Sequence, residues 1–299
     1  MDRHPGLKAV CTLPYCRHRK RVDRVTMLRM LLVIVITALA GHSPAVARET
    51  TVCGPVQERF FFWQWSRVAP SPDPTRVAGL EHVEATTFVT GDGKRLAGYR
   101  YAAHGNLSVE GEPRGYLLMA MGNAMVADMM IRHLADFAAA GYDSYVFDYR
   151  GYGDSEGRRR INAIIEDYRE IVDAMNARYP HGLLYGTSLG GAVLMNVIGR
   201  GGAYERAVID SSPSRFSPYG CPRRIDPLEH LPDDASRLLV ITGQRDSVLD
   251  DDMTRDLRLE AERRGATVIH GEAYDHPFMD RHEAHHQRMA RIHRFLLGE

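Results

Sequence analysis

One serine near the middle of the chain lies in a context typical of an enzymatic nucleophile. Ser188 is the third residue of Gly-Thr-Ser-Leu-Gly at 186–190, with an apolar strand pattern at 183–185 before it and a helical pattern at 191–198 after it. A serine hydroxyl is a weak nucleophile at neutral pH, so it needs a tight turn that lifts it toward a base. Glycines on both sides leave room for that turn. We therefore predict that Ser188 is the nucleophile.

A second Gly-x-Ser-x-Gly string surrounds Ser155, but its context differs. A turn-rich sequence at 149–153 precedes it, three arginines at 158–160 follow it, and helical periodicity starts only near Ile161. This pattern predicts that Ser155 lies in a loop. The arginine run is typical of a solvated face, with attraction of an anionic substrate as the alternative.

Strand and helix patterns alternate along the chain from residue 83. Two β-like runs surround Gly-Asp-Gly at 91–93, which predicts a hairpin. Strands are predicted at 83–90, 94–101, 115–121, 144–149, 183–185, 207–210, 238–242 and 266–270, and helices at 126–140, 161–179, 191–198, 252–264 and 281–297. The alternation predicts an α/β fold with a mostly parallel sheet, antiparallel N-terminal edge strands and helices on both faces. Ligand sites in such sheets lie beyond the carboxyl ends of the strands, where Ser188 falls.

Asp246 and His276 are the candidates for the acid and the base that a serine nucleophile requires. Asp246 follows the buried strand pattern at 238–242; the alternative for it is an ordinary turn aspartate. His276 lies between the last strand and the last helix, whereas the other histidines from 270 to 293 follow strand or helix patterns. An imidazole can take the serine proton and return it to a leaving group, and a carboxylate would orient it.

Two backbone N–H groups must face the negative oxygen that develops during such a reaction. One is predicted at Leu189, at the start of the helix that follows the nucleophile. The other is predicted at Asn123, in Met-Gly-Asn-Ala at 121–124, just after the strand at 115–121. An ordinary strand-to-helix turn is the alternative for that segment.

The first 47 residues have the composition of a leader. Arg29 precedes an uncharged apolar run at 30–40, and Ala-Val-Ala at 45–47 supplies the small residues that a signal peptidase requires. We expect a signal peptide at 27–47 and export to the periplasm or the medium. The run is shorter than the ~20 residues that span a bilayer, so retention as a membrane anchor is the alternative. Membrane contact is expected only through such a retained leader.

After the leader, we expect an N-terminal extension at 48–80 and one domain at 81–299. The segment around 211–237 is short and rich in proline and charge, which predicts a minimal cap. The extension carries an aromatic cluster at 60–65, for which packing on the sheet is the favoured interpretation and contact with lipid or substrate the alternative.

The charge and the cysteines change once residues 1–47 are set aside. That segment holds 8 of 38 Lys+Arg and 2 of 38 Asp+Glu, which leaves 30 basic and 36 acidic residues, a net charge of −6. A chain of that sign has no overall field for phosphate backbones, which argues against nucleic-acid binding. Two cysteines remain, Cys53 and Cys221, either paired as a disulfide in an oxidising compartment or buried as free thiols.

Taken together, the motif at 186–190, Asp246, His276 and the loop at 121–124 resemble the α/β-hydrolase superfamily, and in particular its small, nearly lidless serine hydrolases. The loop at 147–155 is a frequent companion of these motifs in that superfamily. The resemblance covers nearly all of 81–299. One departure is Met121, because relatives usually carry histidine before the glycine of the oxyanion loop.

The resemblance implies hydrolysis of an acyl bond of the carboxylic ester type through an acyl-enzyme. It implies a small-molecule or acyl substrate and neither metal nor organic cofactor. A peptidase or an acyltransferase with the same triad is the alternative enzyme. Because of Met121, a non-catalytic binding protein on the same scaffold is a third hypothesis.

Overall fold

A single eight-stranded sheet organises the computed structural model, which describes residues 48–54, 56–107 and 111–299. The strands are β1 (Val83–Val89), β2 (Arg95–Tyr101), β3 (Gly115–Ala120), β4 (Tyr142–Phe147), β5 (Gly182–Thr187), β6 (Arg206–Asp210), β7 (Leu238–Gly243) and β8 (Thr267–Gly271). Their order is β1-β2-β4-β3-β5-β6-β7-β8. The first two strands are antiparallel to their neighbours and the other six are parallel. The predicted α/β fold is therefore confirmed.

The central strands are apolar because both of their faces are covered. Every residue of β3, β4, β5 and β7 is buried, whereas β1 at the edge is partly exposed along its length. Continuous apolar runs are what parallel strands between two helical layers require. The predicted strand at 183–185 consequently extends over 182–187.

Helices follow the strands in the expected alternation, with one difference. They are α1 (Gln57–Ser66), α2 (Ala127–Met130), α3 (Ala135–Ala139), α4 (Ile161–Arg178), α5 (Leu189–Gly199), α6 (Asp251–Arg263) and α7 (His282–Leu297). The prediction of one helix at 126–140 is wrong, because a 3₁₀ turn at Ile131–Leu134 separates α2 from α3. Side chains three residues apart align in a 3₁₀ turn. Ile131 and Leu134 are both fully buried, which this alignment allows.

The extension at 48–80 is fastened to the sheet domain by buried polar contacts. The Glu58 carboxylate, which is 3% exposed, accepts hydrogen bonds from the N–H of Val52, Cys53 and Ile161. The N–H of Ile161 is at the start of α4 and has no acceptor within the helix, so Glu58 supplies one. A disulfide joins Cys53 to Cys221 in the cap segment. Helix α1 is therefore held in one orientation on the domain.

The aromatic cluster of α1 packs differently from the favoured interpretation. Among the aromatic side chains of the cluster whose burial the structure describes, Phe62 is buried, at 3% exposure, while Phe60, Phe61 and Trp63 are exposed by 57%, 41% and 51%. One helix cannot bury consecutive residues on opposite sides, and Glu58 and Phe62 take the inward side. The interpretation that the whole cluster packs on the sheet is therefore wrong.

The cap segment at 211–237 forms three short 3₁₀ turns at Ser217–Tyr219, Arg223–Ile225 and Pro227–His230. No helix in the described part of the chain is both long and apolar enough to cross a membrane. The predicted signal peptide at 27–47, with the rest of the leader, lies outside the described residues.

Loss of the disulfide should lower stability without changing the fold. The bond closes a loop with a sequence separation of 168, and the chain-entropy model gives ~5 kcal/mol for a loop of that size. We expect urea unfolding to show that Cys53→Ser/Cys221→Ser has lost most of this free energy of unfolding, while its circular dichroism spectrum is unchanged. A reducing agent should destabilise the wild type to the same level and leave the double variant unaffected. Equal stability of oxidised wild type and variant would contradict a bond formed in solution.

Candidate active site

Ser188 occupies a strained turn between β5 and α5. Its backbone lies at φ 52° and ψ −117°, a left-handed region that costs a non-glycine residue about 1–3 kcal/mol. The Ser188 N–H donates a hydrogen bond of 2.8 Å to the carbonyl of Asp210, the last residue of β6. Such strain persists only where the surroundings over-determine the conformation.

The glycines beside Ser188 are required by close backbone contact. A Cβ placed on Gly190 would lie 1.9 Å from the carbonyl oxygen of Ala120, and one on Gly186 would lie 2.8 Å from the carbonyl oxygen of Gly190. Real Cβ contacts are never this short, and both obstacles are backbone atoms. The first turn of α5 therefore reaches the end of β3 only because Gly190 has no side chain.

His276 and Asp246 meet beyond the carboxyl ends of β7 and β8. His276 Nδ1 lies 3.0 Å from each carboxylate oxygen of Asp246, and the two side chains are 8% and 2% exposed. Asp246 Oδ1 also accepts hydrogen bonds from the N–H of Val248 and Leu249 at 2.9 and 2.8 Å. With Nδ1–H donated to the carboxylate, neutral His276 presents Nε2 as its acceptor.

The carboxylate of Asp246 is electrostatically suited to orient His276. Burial raises its pKa, but the hydrogen bond and charge of His276, with the two backbone N–H groups, outweigh burial and hold the pKa below its usual value of 3.8. Asp246 therefore stays ionised at neutral pH. A buried carboxylate fixed this way stabilises the imidazolium that forms when a base takes a proton.

Ser188 and His276 are connected through the end of β6. Within the described residues, the Ser188 hydroxyl makes no hydrogen bond to His276. Asp210 links them: its carbonyl accepts the Ser188 N–H, and its carboxylate lies within electrostatic reach of the imidazole. Burial raises the pKa of Asp210 to about 6, while Arg288 and His276 favour its charge. Catalytic hydrogen bonds are often long in structures without substrate.

The loop at 121–124 lies against Ser188, where the predicted oxyanion donors are required. A Cβ on Gly122 would lie 3.5 Å from the Cβ of Ser188. Leu189 is the first residue of α5, so its N–H has no acceptor within the helix. Asn123 Oδ1 accepts a hydrogen bond from the Tyr152 hydroxyl at 2.5 Å, which fixes the loop from the side.

Met121 does not leave the oxyanion loop unsupported. Its side chain is fully buried, and its carbonyl accepts a 2.6 Å hydrogen bond from the Tyr149 hydroxyl. This phenol anchors the backbone from the loop at 147–155, so no histidine is needed at position 121 to hold it.

Ser155 has a structural role in the same loop. Its hydroxyl donates to the carbonyl of Asp148 at 2.8 Å and accepts from the N–H of Ala97 at 2.9 Å, and the residue is 9% exposed. Both hydrogen-bonding capacities of the oxygen are used to join the loop to β2. The loop interpretation of this second serine agrees with these contacts.

A buried arginine that no sequence pattern indicated links the two sides of the site. Arg288 of α7 is 1% exposed. Its guanidinium lies 2.7 Å from the Asp210 carboxylate and 2.8 Å from that of Asp280, and it donates to the carbonyl of Asp275 at 2.5 Å. It therefore joins the strand next to Ser188 to the residue that precedes His276. Its partners are too distant in sequence for any local pattern to reveal them.

Asp275 was missed as well, and it fastens the loop of His276 to the loop of Asp246. Its Oδ1 accepts hydrogen bonds from the N–H and hydroxyl of Ser247, at 2.9 and 2.8 Å, and from the N–H of His276 at 2.7 Å. Asp275 N–H in turn donates to Asp280. The only sequence signal was the position of this acidic residue directly before His276.

Other parts of the surface do not compete as the site. A cavity of about 930 Å³ lies at the opposite, amino-terminal edge of β3 to β5, between Tyr142, Tyr179 and His181. A second, of about 590 Å³, lies beside Arg48 and Glu170. Neither is lined by Ser188. In the part of the chain that the structure describes, no group of three or more His, Cys, Asp or Glu is arranged to hold a metal ion.

Comparisons with known proteins agree with this geometry. Residues 111–225 match the family model described as serine aminopeptidase, S33. The solved structure of an esterase from Pyrococcus furiosus superposes with a TM-score of 0.58 at 15% identity, over 76% of this chain and 96% of that one. The strand order and these matches show that the chain has an α/β-hydrolase fold.

Two curated relatives match part of the chain. Protein YfhR of Escherichia coli K12 is 27% identical over 146 residues, and monoacylglycerol lipase of Mycolicibacterium smegmatis is 29% identical over 109 residues. The matches cover 48% and 34% of this chain. They span 48% and 39% of the relatives, about half of their length or less.

Removal of Arg288 should destabilise the protein strongly. Arg288→Met leaves two buried carboxylates without their cation, and breaking a buried pair in this way costs about 3–5 kcal/mol. Arg294→Met, at an exposed position of the same helix, should change stability by less than about 0.5 kcal/mol. Urea unfolding of both variants checks this expectation. Equal effects would show that the ion pairs contribute little.

Proposed function

We propose that this chain is a serine hydrolase that cleaves a carboxylic ester bond through an acyl-enzyme on Ser188. The hydrogen-bonded pair of His276 and Asp246, at the same sheet edge as the strained turn of Ser188, is the observation that carries the proposal. The esterase and lipase among the similar proteins support the reaction class.

The proposed reaction uses each group at a defined step. His276 Nε2 takes the hydroxyl proton as Ser188 Oγ attacks the ester carbonyl, and Asp246 stabilises the imidazolium. The N–H groups of Leu189 and Asn123 donate to the tetrahedral oxyanion. The imidazolium then gives its proton to the leaving alcohol as the ester bond breaks. Water, activated by the same imidazole, releases the acid and restores Ser188.

The match to a serine aminopeptidase family favours a second candidate, cleavage of an amide bond by the same groups. Ester and amide hydrolysis share the acyl-enzyme and differ in the leaving group that His276 must protonate. Turnover of aminoacyl anilides faster than of simple esters would favour this candidate.

Substitution of the two serines distinguishes the proposed nucleophile from its decoy. We expect Ser188→Ala to lower kcat for p-nitrophenyl esters by about 10⁴-fold or more, since the nucleophile is lost. Ser155→Ala removes two loop hydrogen bonds, so it should retain most of the kcat and lose about 1–3 kcal/mol of stability. Steady-state kinetics and thermal unfolding of both variants provide the measurement. Full activity of Ser188→Ala would end the proposal.

The loss of activity in the acid range should report protonation of His276 and not of Asp246. Because the pKa of Asp246 is lowered, its carboxylate stays charged while the imidazole takes up a proton. Protonated His276 cannot act as a base, so kcat/KM should fall with a slope of one as pH decreases. In Asp246→Asn, the value of kcat/KM above the acid limb should be about 10³-fold or more lower than in the wild type. An acid limb that is flat down to about pH 4 would contradict this role of His276.

A further inference from the structure

Helix α1 and its flanks present an apolar surface to solvent that the proposed reaction does not use. We call this surface the aromatic face; its exposed members are Val56 (72%), Phe60 (57%), Phe61 (41%), Trp63 (51%) and Val68 (67%). Val56, Phe60 and Trp63 follow the spacing of one helical stripe, and the rings of Phe60 and Trp63 are 5.9 Å apart. Clustered exposure of this kind marks an interaction site, unlike single exposed apolar residues.

The inward contacts of α1 fix the aromatic face toward solvent. Glu58 makes its three backbone hydrogen bonds on the opposite side, Phe62 packs edge-on against Tyr152 at 6.5 Å, and the disulfide holds the chain at Cys53. Rotation of α1 to bury Phe60 and Trp63 would break the hydrogen bonds of Glu58 and the contact of Phe62 with Tyr152. The face is therefore presented permanently.

The charges around the aromatic face are basic, although residues 48–299 carry a net charge of −6. Arg59 and Arg67 are exposed, and the Arg67 guanidinium lies 4.9 Å from the ring of Trp63. Glu58 is the single acidic residue of 56–68, and it is buried. Arg160 lies within electrostatic reach of Arg59 and Arg158, and also of the carboxylates of Glu58 and Glu49.

We propose that the aromatic face binds the surface of an anionic lipid bilayer. Phenylalanine and tryptophan side chains enter the boundary between headgroups and acyl chains, and flanking arginines are attracted to anionic headgroups. Charge argues against the other occupants. The leader at 1–47 carries eight Lys+Arg against two Asp+Glu, so it would be repelled, and a symmetric second copy would place arginine beside arginine.

Bilayer contact at this face would bring lipid esters to the proposed active site, a step that depends on the proposed function. Phe62 contacts Tyr152, whose hydroxyl donates to Asn123 in the oxyanion loop. The disulfide partner Cys221 lies in the cap segment. Helix α1, which carries the aromatic face, thus borders the Ser188 side of the sheet, and the substrate class we infer is acyl esters of membrane lipids.

The tryptophans of the chain make the test direct. Trp63 and Trp65 are the only two in the sequence, so in full-length Trp65→Phe the emission comes from Trp63 alone. With vesicles of phosphatidylglycerol we expect a blue shift, and with the brominated lipid we expect quenching. Neutral phosphatidylcholine vesicles should give a weaker response.

Matched variants separate apolar and ionic contributions. Phe60→Ser/Phe61→Ser should reduce partition into anionic vesicles by about tenfold or more, since two buried rings are lost. Arg59→Gln and Arg67→Gln should each reduce it about fivefold on phosphatidylglycerol and leave phosphatidylcholine binding unchanged. Leu259→Ser, at a 49% exposed position of α6, should behave as wild type.

Three outcomes would overturn the proposal. The first is Trp63 emission that is neither shifted nor quenched by vesicles. The second is equal partition of wild type and Phe60→Ser/Phe61→Ser into vesicles, which would assign membrane binding to the leader. The third is a dimer in sedimentation that the same double variant dissociates. Vesicle binding requires no turnover. Vesicle binding without hydrolysis of any ester would therefore contradict the proposed function and still support the proposal that the aromatic face binds membranes.

Discussion

The close backbone contact between the first turn of α5 and the end of β3 is the constraint on which the site depends. Gly190 leaves no space for a Cβ against the carbonyl of Ala120. That approach sets Ser188 in its strained conformation and places the loop at 121–124 beside it. The proposed nucleophile and the proposed backbone donors thus converge because one side chain is absent.

The opposite side of the site is held by charge. Arg288 and Asp275 join β6, the loop of Asp246 and the loop of His276. The contact between Arg288 and Asp210 is buried, whereas that between Asp275 and Ser247 is exposed. Buried ion pairs add little net stability compared with apolar packing, because desolvation of the charges is costly. Their effect here is positional: each contact has a defined direction, so the imidazole has one orientation relative to the strand ends.

The pKa values of the buried carboxylates Asp246 and Asp210 are shifted in opposite directions. Asp246 accepts three hydrogen bonds and keeps a lowered pKa, whereas burial raises the pKa of Asp210 to about 6 despite its arginine partner. The same residue type therefore serves as a charged orienting group at one strand end and as part of a buried ion pair at another. Environment, and not residue type, decides between them.

Local sequence patterns predicted much of this arrangement, and the failures have a common cause. The alternation of strands and helices, the turn at Ser188 and the placement of Asp246 and His276 at strand exits follow from apolar runs and from the residues that come after them. The break at Ile131–Leu134, the outward face of α1 and the role of Arg288 depend on partners far away in sequence. The periodicity of α1 does not reveal which of its sides faces inward. That side is fixed by Glu58, whose carboxylate accepts a hydrogen bond from α4, far away in sequence.

The central claim is that Ser188, and not Ser155, is an activated nucleophile. Reaction of the folded, full-length protein with a fluorophosphonate, followed by proteolysis and mass spectrometry of the peptides, tests it most directly. We expect one phosphonate adduct, on the peptide that contains Ser188, and its loss when His276 is replaced by alanine. An adduct on the peptide of Ser155, or no adduct on correctly folded protein, would contradict it.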